Sequence, residues 1–189
     1  PQMDFLFQMM EEILNTSKIT DTKRLYEIIA EIKSRGQASL IGSGHQTAVL
    51  RGASYGSPMA RFQDEMAGVG YYKFIEDLEK NVQDKKAEIV AGLENAMAEI
   101  IRRDSFMVSY TGERESVEQL KALSGSLNKS LKESSCKVTE VAITCEKKNE
   151  GFKTLGLVPY VARTGNFVKK GFTYAGELET LKVTTSTDY

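Results

Sequence analysis

Apolar residues recur at three- and four-residue intervals from the start of the chain. Phe5, Leu6, Met9, Met10 and Ile13 share one helix face, and the spacing predicts a first helix there. Asn15-Thr16-Ser17-Lys18 is a polar break, after which Thr20 or Asp21 caps a second helix carrying Leu25, Ile28, Ile29 and Ile32. The pattern runs on through Leu40, Ile41, Val49 and Leu50. It is interrupted by Gly36, Gly42, Gly44, Gly52 and Gly56, each costing about 1 kcal/mol relative to Ala inside a helix. So many glycines mean either that the helix breaks or that another part of the chain packs closely against it. Ser57-Pro58 is a restart signal, with Ser as cap and Pro at the first helical position. The next helix carries Phe62, Met66, Val69, Tyr72, Phe74, Ile75 and Leu78. Asn81 is expected to cap another, with Ile89, Val90, Leu93, Met97, Ile100 and Ile101 facing inwards.

From residue 104 the period changes. Phe106, Val108 and Tyr110 alternate with Met107 and Ser109, as in a strand buried on at least one face. Gly112 turns the chain into a helix with Val117, Leu120, Leu123, Leu127 and Leu131 on its inner stripe. Residues 138–144 alternate and are rich in β-branched side chains. Residues 152–167 suggest one or two strands around Pro159, ending in a Gly165-Asn166 turn, and a last helix begins near Thr173. The expected fold class is α+β: a helical connector over 1–103, then the start of an α+β sandwich over 104–189, one sheet covered by helices. Residues 1–14 read as the tail of a preceding domain and 20–103 as long helices. Helical pattern close to both termini gives the expectation of a piece of something larger.

Composition then narrows the chemistry. The chain has 189 residues, 41% hydrophobic and 27% charged, enough apolar content for a packed core. Twenty-five Lys and Arg against 26 Asp and Glu leave a formal charge of −1, so no overall basic field invites nucleic acid or an anionic membrane. No apolar run approaches the roughly 20 residues of a membrane span. No signal segment is visible, so a cytoplasmic location is expected for a bacterial host. There is one histidine, His45, with two cysteines, Cys136 and Cys145, and no tryptophan. Zinc usually takes three or four clustered ligands, and this set fits no such spacing. Both thiols read as reduced, small hydrophobes.

Two motifs have the look of chemistry. Gly52-Ala53-Ser54-Tyr55-Gly56 matches the Gly-x-Ser-x-Gly elbow of serine hydrolases, whose histidine follows the serine in the chain. His45 precedes Ser54 by nine positions, so the expected role of both residues is structural. Gly42-Ser43-Gly44-His45-Gln46-Thr47 resembles a phosphate-cradling loop, but Thr47 stands at the third glycine and a helical pattern precedes it where a strand is required. Close helix packing is the better reading. Catalytic, cofactor-binding and metal residues are all expected to be absent.

The order of several stretches carries a resemblance. Thr22-Lys23-Arg24-Leu25, Ile32-Lys33-Ser34-Arg35, Ser43-Gly44-His45 and Leu50-Arg51-Gly52-Ala53-Ser54-Tyr55 are followed by Gly70-Tyr71-Tyr72-Lys73-Phe74-Ile75-Glu76-Asp77-Leu78. Then come Val108-Ser109-Tyr110-Thr111-Gly112, Gly151-Phe152-Lys153-Thr154 and the run from Val158 to Phe167. Together they resemble the middle of the insulinase-type (pitrilysin) zinc metallopeptidases, in the presequence-protease branch. The resemblance implies two halves, each of two α+β domains, joined by a helical hairpin around a chamber for unfolded peptides. It places residues 1–14 at the end of the second domain, 20–103 in the connector and 104–189 at the start of the noncatalytic half. The family's zinc motif, His-x-x-Glu-His, does not occur in these 189 residues, so no catalytic or metal residue carries over.

The expected function is thus a noncatalytic scaffold segment of a zinc-dependent peptidase. Zinc belongs to the parent protein. Its partners would be the other domains of that protein and unfolded peptide substrate, with dimerisation through exposed apolar surface as a further expectation. The alternative is a freestanding helical interaction module with an appended α+β domain, and a hydrolase using Ser54 is a third reading.

Overall fold

The structure is a computed structural model that describes residues 2–133 and 139–186. Eight α-helices follow one another among them: α1 (Gln2–Thr16), α2 (Thr22–Gly42), α3 (Gly44–Ala53), α4 (Pro58–Ala67), α5 (Val69–Asn81), α6 (Lys86–Ile100), α7 (Val117–Ser130) and α8 (Glu177–Ser186). Short 3₁₀ turns occupy Arg103–Ser105, Arg114–Ser116 and Val168–Lys170.

Local chemistry explains several boundaries. Asp21 accepts the Arg24 backbone N–H at 3.0 Å and so caps α2. Ser57 caps α4, with Pro58 supplying the first helical residue whose N–H would be unpaired anyway. Asn81 corrects an expectation: it ends α5, and α6 starts only at Lys86, after Lys85.

The α+β expectation is overturned, because the described residues contain helices and no strand. One isolated parallel bridge, Arg102 with Lys132, is the trace of pairing. Alternation of side chains makes a segment extended, but a strand also needs a neighbouring backbone to complete its ladder. Residues 106–110 and 152–167 have no such ladder. The patterned stretch at 138–144 begins outside the described residues, and from 139 onward it too lacks strand structure.

The chain forms two compact units, Pro1–Ala30 with Leu78–Glu140, and Glu31–Asp77 with Val141–Tyr189. In the first, α1 lies along α7. Gln119 donates to Asp4 and Asn15 donates to Ser130, each pair 115 positions apart, so the two helices run parallel in fixed register. Phe7, Leu127, Leu131 and Val82 are buried there, while Phe5, Leu6 and Ile13 of the expected α1 stripe remain exposed. Arg103 closes the end of α7 by donating to the Lys129 and Leu131 carbonyls at 2.6 and 2.9 Å, a positive charge where the helix dipole is negative.

In the second unit α3 packs on α4. The buried residues are a mixture of small apolar and charged ones: Ala60, Val69 and Ile75 with Arg51, Ser54 and Asp64. A core with two charges in it has to satisfy them internally, and that requirement shapes the site.

Candidate functional site

Arg51 sits in the last turn of α3 and is 9% exposed. Its Nη1 lies 2.6 Å from Asp64 Oδ2, and its Nε and Nη2 lie 2.9 and 2.8 Å from Glu150 Oε2. Tyr55 donates its phenolic proton to the same Glu150 oxygen. Asp64, 0% exposed, also accepts the backbone N–H groups of Val69 at 3.0 Å and Gly70 at 3.2 Å. These are unpaired first-turn donors of α5, so Asp64 caps that helix while belonging to α4. One carboxylate therefore ties α3, α4 and α5 together.

Gly68 and Gly70 make this possible. A Cβ at Gly68 would stand 2.5 Å from Asp64 Oδ1 and 2.9 Å from its Cα, and one at Gly70 would stand 2.9 Å from Oδ2. Without those side chains the carboxylate reaches the backbone it caps.

The rings of Tyr55 and Phe152 flank the Arg51 guanidinium, with centroids 5.4 and 5.9 Å away, and the Lys73 ammonium lies 4.8 Å from the Phe152 centroid. Burial opposes the charge on Arg51, but hydrogen bonds to Glu150 and Asp64 and the Asp64 charge outweigh it and raise its pKa. The Tyr55 hydrogen bond holds the Glu150 carboxyl below its usual range; burial opposes it, and the Arg51 hydrogen bond and charge, with Lys73, add to the lowering. Burial and the bond to Glu150 push the Tyr55 phenol up. Each shift favours the charge state present at neutral pH. The cluster is an ion pair network in which all three guanidinium nitrogens of Arg51 meet a carboxylate, and it suits holding chain segments together better than moving protons.

The residues singled out from sequence fall elsewhere. Ser54 is buried, and its hydroxyl donates to the Arg51 carbonyl at 2.7 Å. His45 is exposed at the start of α3, its ring 6.0 Å from that of Tyr160. Nine positions separate the two, roughly 13 Å of helix at 1.5 Å per residue, so His45 is no base for Ser54. Gly42–Thr47 is no loop: Gly42 ends α2, Ser43 alone is the turn, Gly44–Thr47 open α3, and a helix precedes them where a phosphate-cradling loop needs a strand. Cys145 is a half-buried free thiol, and Cys136 lies outside the described residues. Among the described residues no group of three or more His, Cys, Asp or Glu could hold a metal. In the other unit Arg102 is buried, with Nε and Nη1 lacking a hydrogen-bond partner. Asp104 Oδ1 is 3.3 Å from that Nε, close enough for attraction but not aligned for a hydrogen bond.

Sequence reasoning missed Arg51, Asp64, Glu150 and Tyr55. A usable signal was Asp64 followed by Gly68 and Gly70, an acid before two side-chain-free positions at a helix junction.

Residues 1–78 match the family model for the region associated with peptidase family M16, subfamily C. Protein HypA of Clostridium perfringens (strain 13 / Type A) is 30% identical over 182 residues, covering 96% of this chain and 18% of that protein. Presequence protease 1, chloroplastic/mitochondrial, of Arabidopsis thaliana is 25% identical over 174 residues, 92% of this chain and 16% of that one. The mitochondrial presequence protease of Yarrowia lipolytica (strain CLIB 122 / E 150) is 28% identical over 109 residues, 57% and 11% respectively. These matches support a fragment similar to the insulinase-type M16 peptidases of the presequence-protease kind. It spans less than a fifth of the length of these relatives.

Proposed function

We propose that this chain is the noncatalytic scaffold of a zinc-dependent peptidase that cleaves short unstructured peptides. In this reading its helices join two halves of the enzyme and form part of the wall of a peptide chamber. The observation that carries the reading is the match of residues 1–78 to the peptidase-associated family model. The Arg51–Asp64 network adds to it, since three helices tied through one buried carboxylate move as one body, as a connector between closing halves requires.

Among the described residues no cluster of His, Cys, Asp or Glu fits a zinc site. There is one histidine, and it stands exposed beside a tyrosine ring. Zinc would be held by other parts of the enzyme, and no catalytic step is assigned to these residues.

The test compares the 189-residue chain with the full-length protein that contains it, using metal analysis and a quenched fluorescent peptide. The chain alone is expected to hold no stoichiometric zinc and to leave the peptide intact. The full-length protein is expected to cleave the peptide and to stop when a chelator removes its metal. One tightly bound zinc per chain, or chelator-resistant cleavage, overturns the proposal.

A further inference from the structure

The segment from Glu150 to Asn166 makes a return trip along α3. It starts at Arg51 and Tyr55, where Glu150 is held. A Cβ at Gly156 would lie 3.6 Å from Ile41 Cγ2, near the end of α2. The segment then doubles back. The Tyr160 ring covers Gly44, leaving no room for a Cβ there, Thr164 Cγ2 would stand 2.8 Å from a Cβ on Gly52, and Asn166 donates to the Gly56 carbonyl at 2.9 Å.

The spacing is geometrically consistent. From Tyr160 to Thr164, extended chain advances about 13 Å at roughly 3.3 Å per residue. From Gly44 to Gly52, helix advances about 12 Å at 1.5 Å per residue. The interrupting glycines are the track on which the returning chain lies.

Apolar burial does not hold the segment in place. Leu157 is 100% exposed and Val161 95%, and the stretch from 151 to 160 is exposed throughout. Its hydrogen bonds to the helices sit at its ends, with the Phe152 ring against Arg51 and Lys73 beside the first. At one end three donors converge on a single Glu150 oxygen; at the other stands the Asn166 amide. Charge-assisted hydrogen bonds are the stronger kind, so the Glu150 end has the firmer grip.

We propose that residues 150–166 are a strap that opens from α3, with the Glu150 carboxylate as its latch and Asn166 as its hinge. The charged and titratable groups facing the latch are Arg51 of α3, Tyr55 after it and Lys73 of α5, with Asp64 acting through Arg51. This inference is independent of any peptidase role, since it concerns only how the segment is held.

The experiment uses the full chain stripped of its own cysteines, with spin labels at Val49→Cys and Val161→Cys, both exposed positions. Pulsed electron resonance should give one narrow distance at pH 7. Glu150→Gln should add a longer, broad population, raising the open fraction about tenfold, the low end of the scale for loss of one hydrogen bond to a charged group. In parallel, tryptic cutting after Lys153 and Arg163 should accelerate by a similar factor, with cutting inside the helices unchanged. Tyr55→Phe removes one donor and leaves the Arg51 pair, so it should open the strap to an intermediate extent. A folded Glu150→Gln variant with the original distance and cutting rates overturns the proposal. So does loss of helical circular dichroism in both variants, which would make Glu150 a support of the whole unit.

Discussion

Arg51 Nη1 rests 2.6 Å from Asp64 Oδ2, and no part of the Asp64 side chain reaches water. Two charges withdrawn from solvent are tolerable only as a pair, because each supplies what the other lost on burial. Arg51→Met strands the carboxylate with two backbone N–H donors. The expected loss is about 3–5 kcal/mol, read as a lower urea midpoint by circular dichroism. Adding Asp64→Asn should recover part of it, since the amide is uncharged and its oxygen still accepts one of the α5 donors. An Arg51→Met protein as stable as the parent would sink this account.

Two glycines should respond in opposite directions. Gly92, inside α6, has nothing within 4 Å of the place an added methyl would occupy, so Gly92→Ala should raise stability by roughly 0.5–1 kcal/mol through helix propensity and lost unfolded-state freedom. Gly68 has the Asp64 backbone and carboxylate in that space, so Gly68→Ala should lower stability by about 1–3 kcal/mol through overpacking. Thermal melts of the two variants beside the parent read both signs at once.

Stability should fall at both ends of the pH scale for reasons seated on one oxygen. The Glu150 carboxyl lies below its ordinary 4.5 when folded, so its contribution is complete above that value and is lost as pH falls through the folded value. The Tyr55 phenol lies above its ordinary 10.0, so its contribution is complete below that value and is lost as pH rises through the folded one. Denaturation midpoints measured in steps across the acid and alkaline ranges should show a plateau between. Glu150→Gln should flatten the acid arm, and Tyr55→Phe the alkaline arm. An acid arm that survives Glu150→Gln unchanged would assign it to other carboxylates.

Much of the helical order is legible in the residues. The Asp21 and Ser57-Pro58 starts, the α7 stripe ending at Leu127 and Leu131, and a last helix beyond Thr173 all rest on interactions within a few positions, which spacing records. The strands are a different matter. Phe106, Val108 and Tyr110 have the alternation of a strand, but alternation reports side-chain direction and cannot supply a neighbouring backbone. In α1, Phe5, Leu6 and Ile13 have helical spacing, yet Phe7 is the residue that α7 and its surroundings bury. Spacing defines a stripe, and packing chooses among stripes.

The charge network is hidden from sequence for a related reason. Arg51 and Glu150 are 99 positions apart, and charged side chains on a helix ordinarily belong to its solvated face. The interrupting glycines allow two readings, helix breaks or close approaches, and both occur. Gly42 and Gly44 flank the junction of α2 and α3, and Gly44 and Gly52 lie under the returning chain.

The two bonds of Arg51 also have different histories. Its pairing with Asp64 closes 13 residues of chain and its pairing with Glu150 closes 99. Loop closure makes the second costlier by about 1.8 kcal/mol in entropy, on the logarithmic dependence of that cost on length. As the polypeptide emerges from a ribosome, α3, α4 and α5 can knot around Asp64 while the residues bearing Glu150 have yet to be made. The guanidinium then waits, half satisfied, as a preformed receptor for a segment synthesised later, and assembly of the unit acquires a direction from N-terminus to C-terminus.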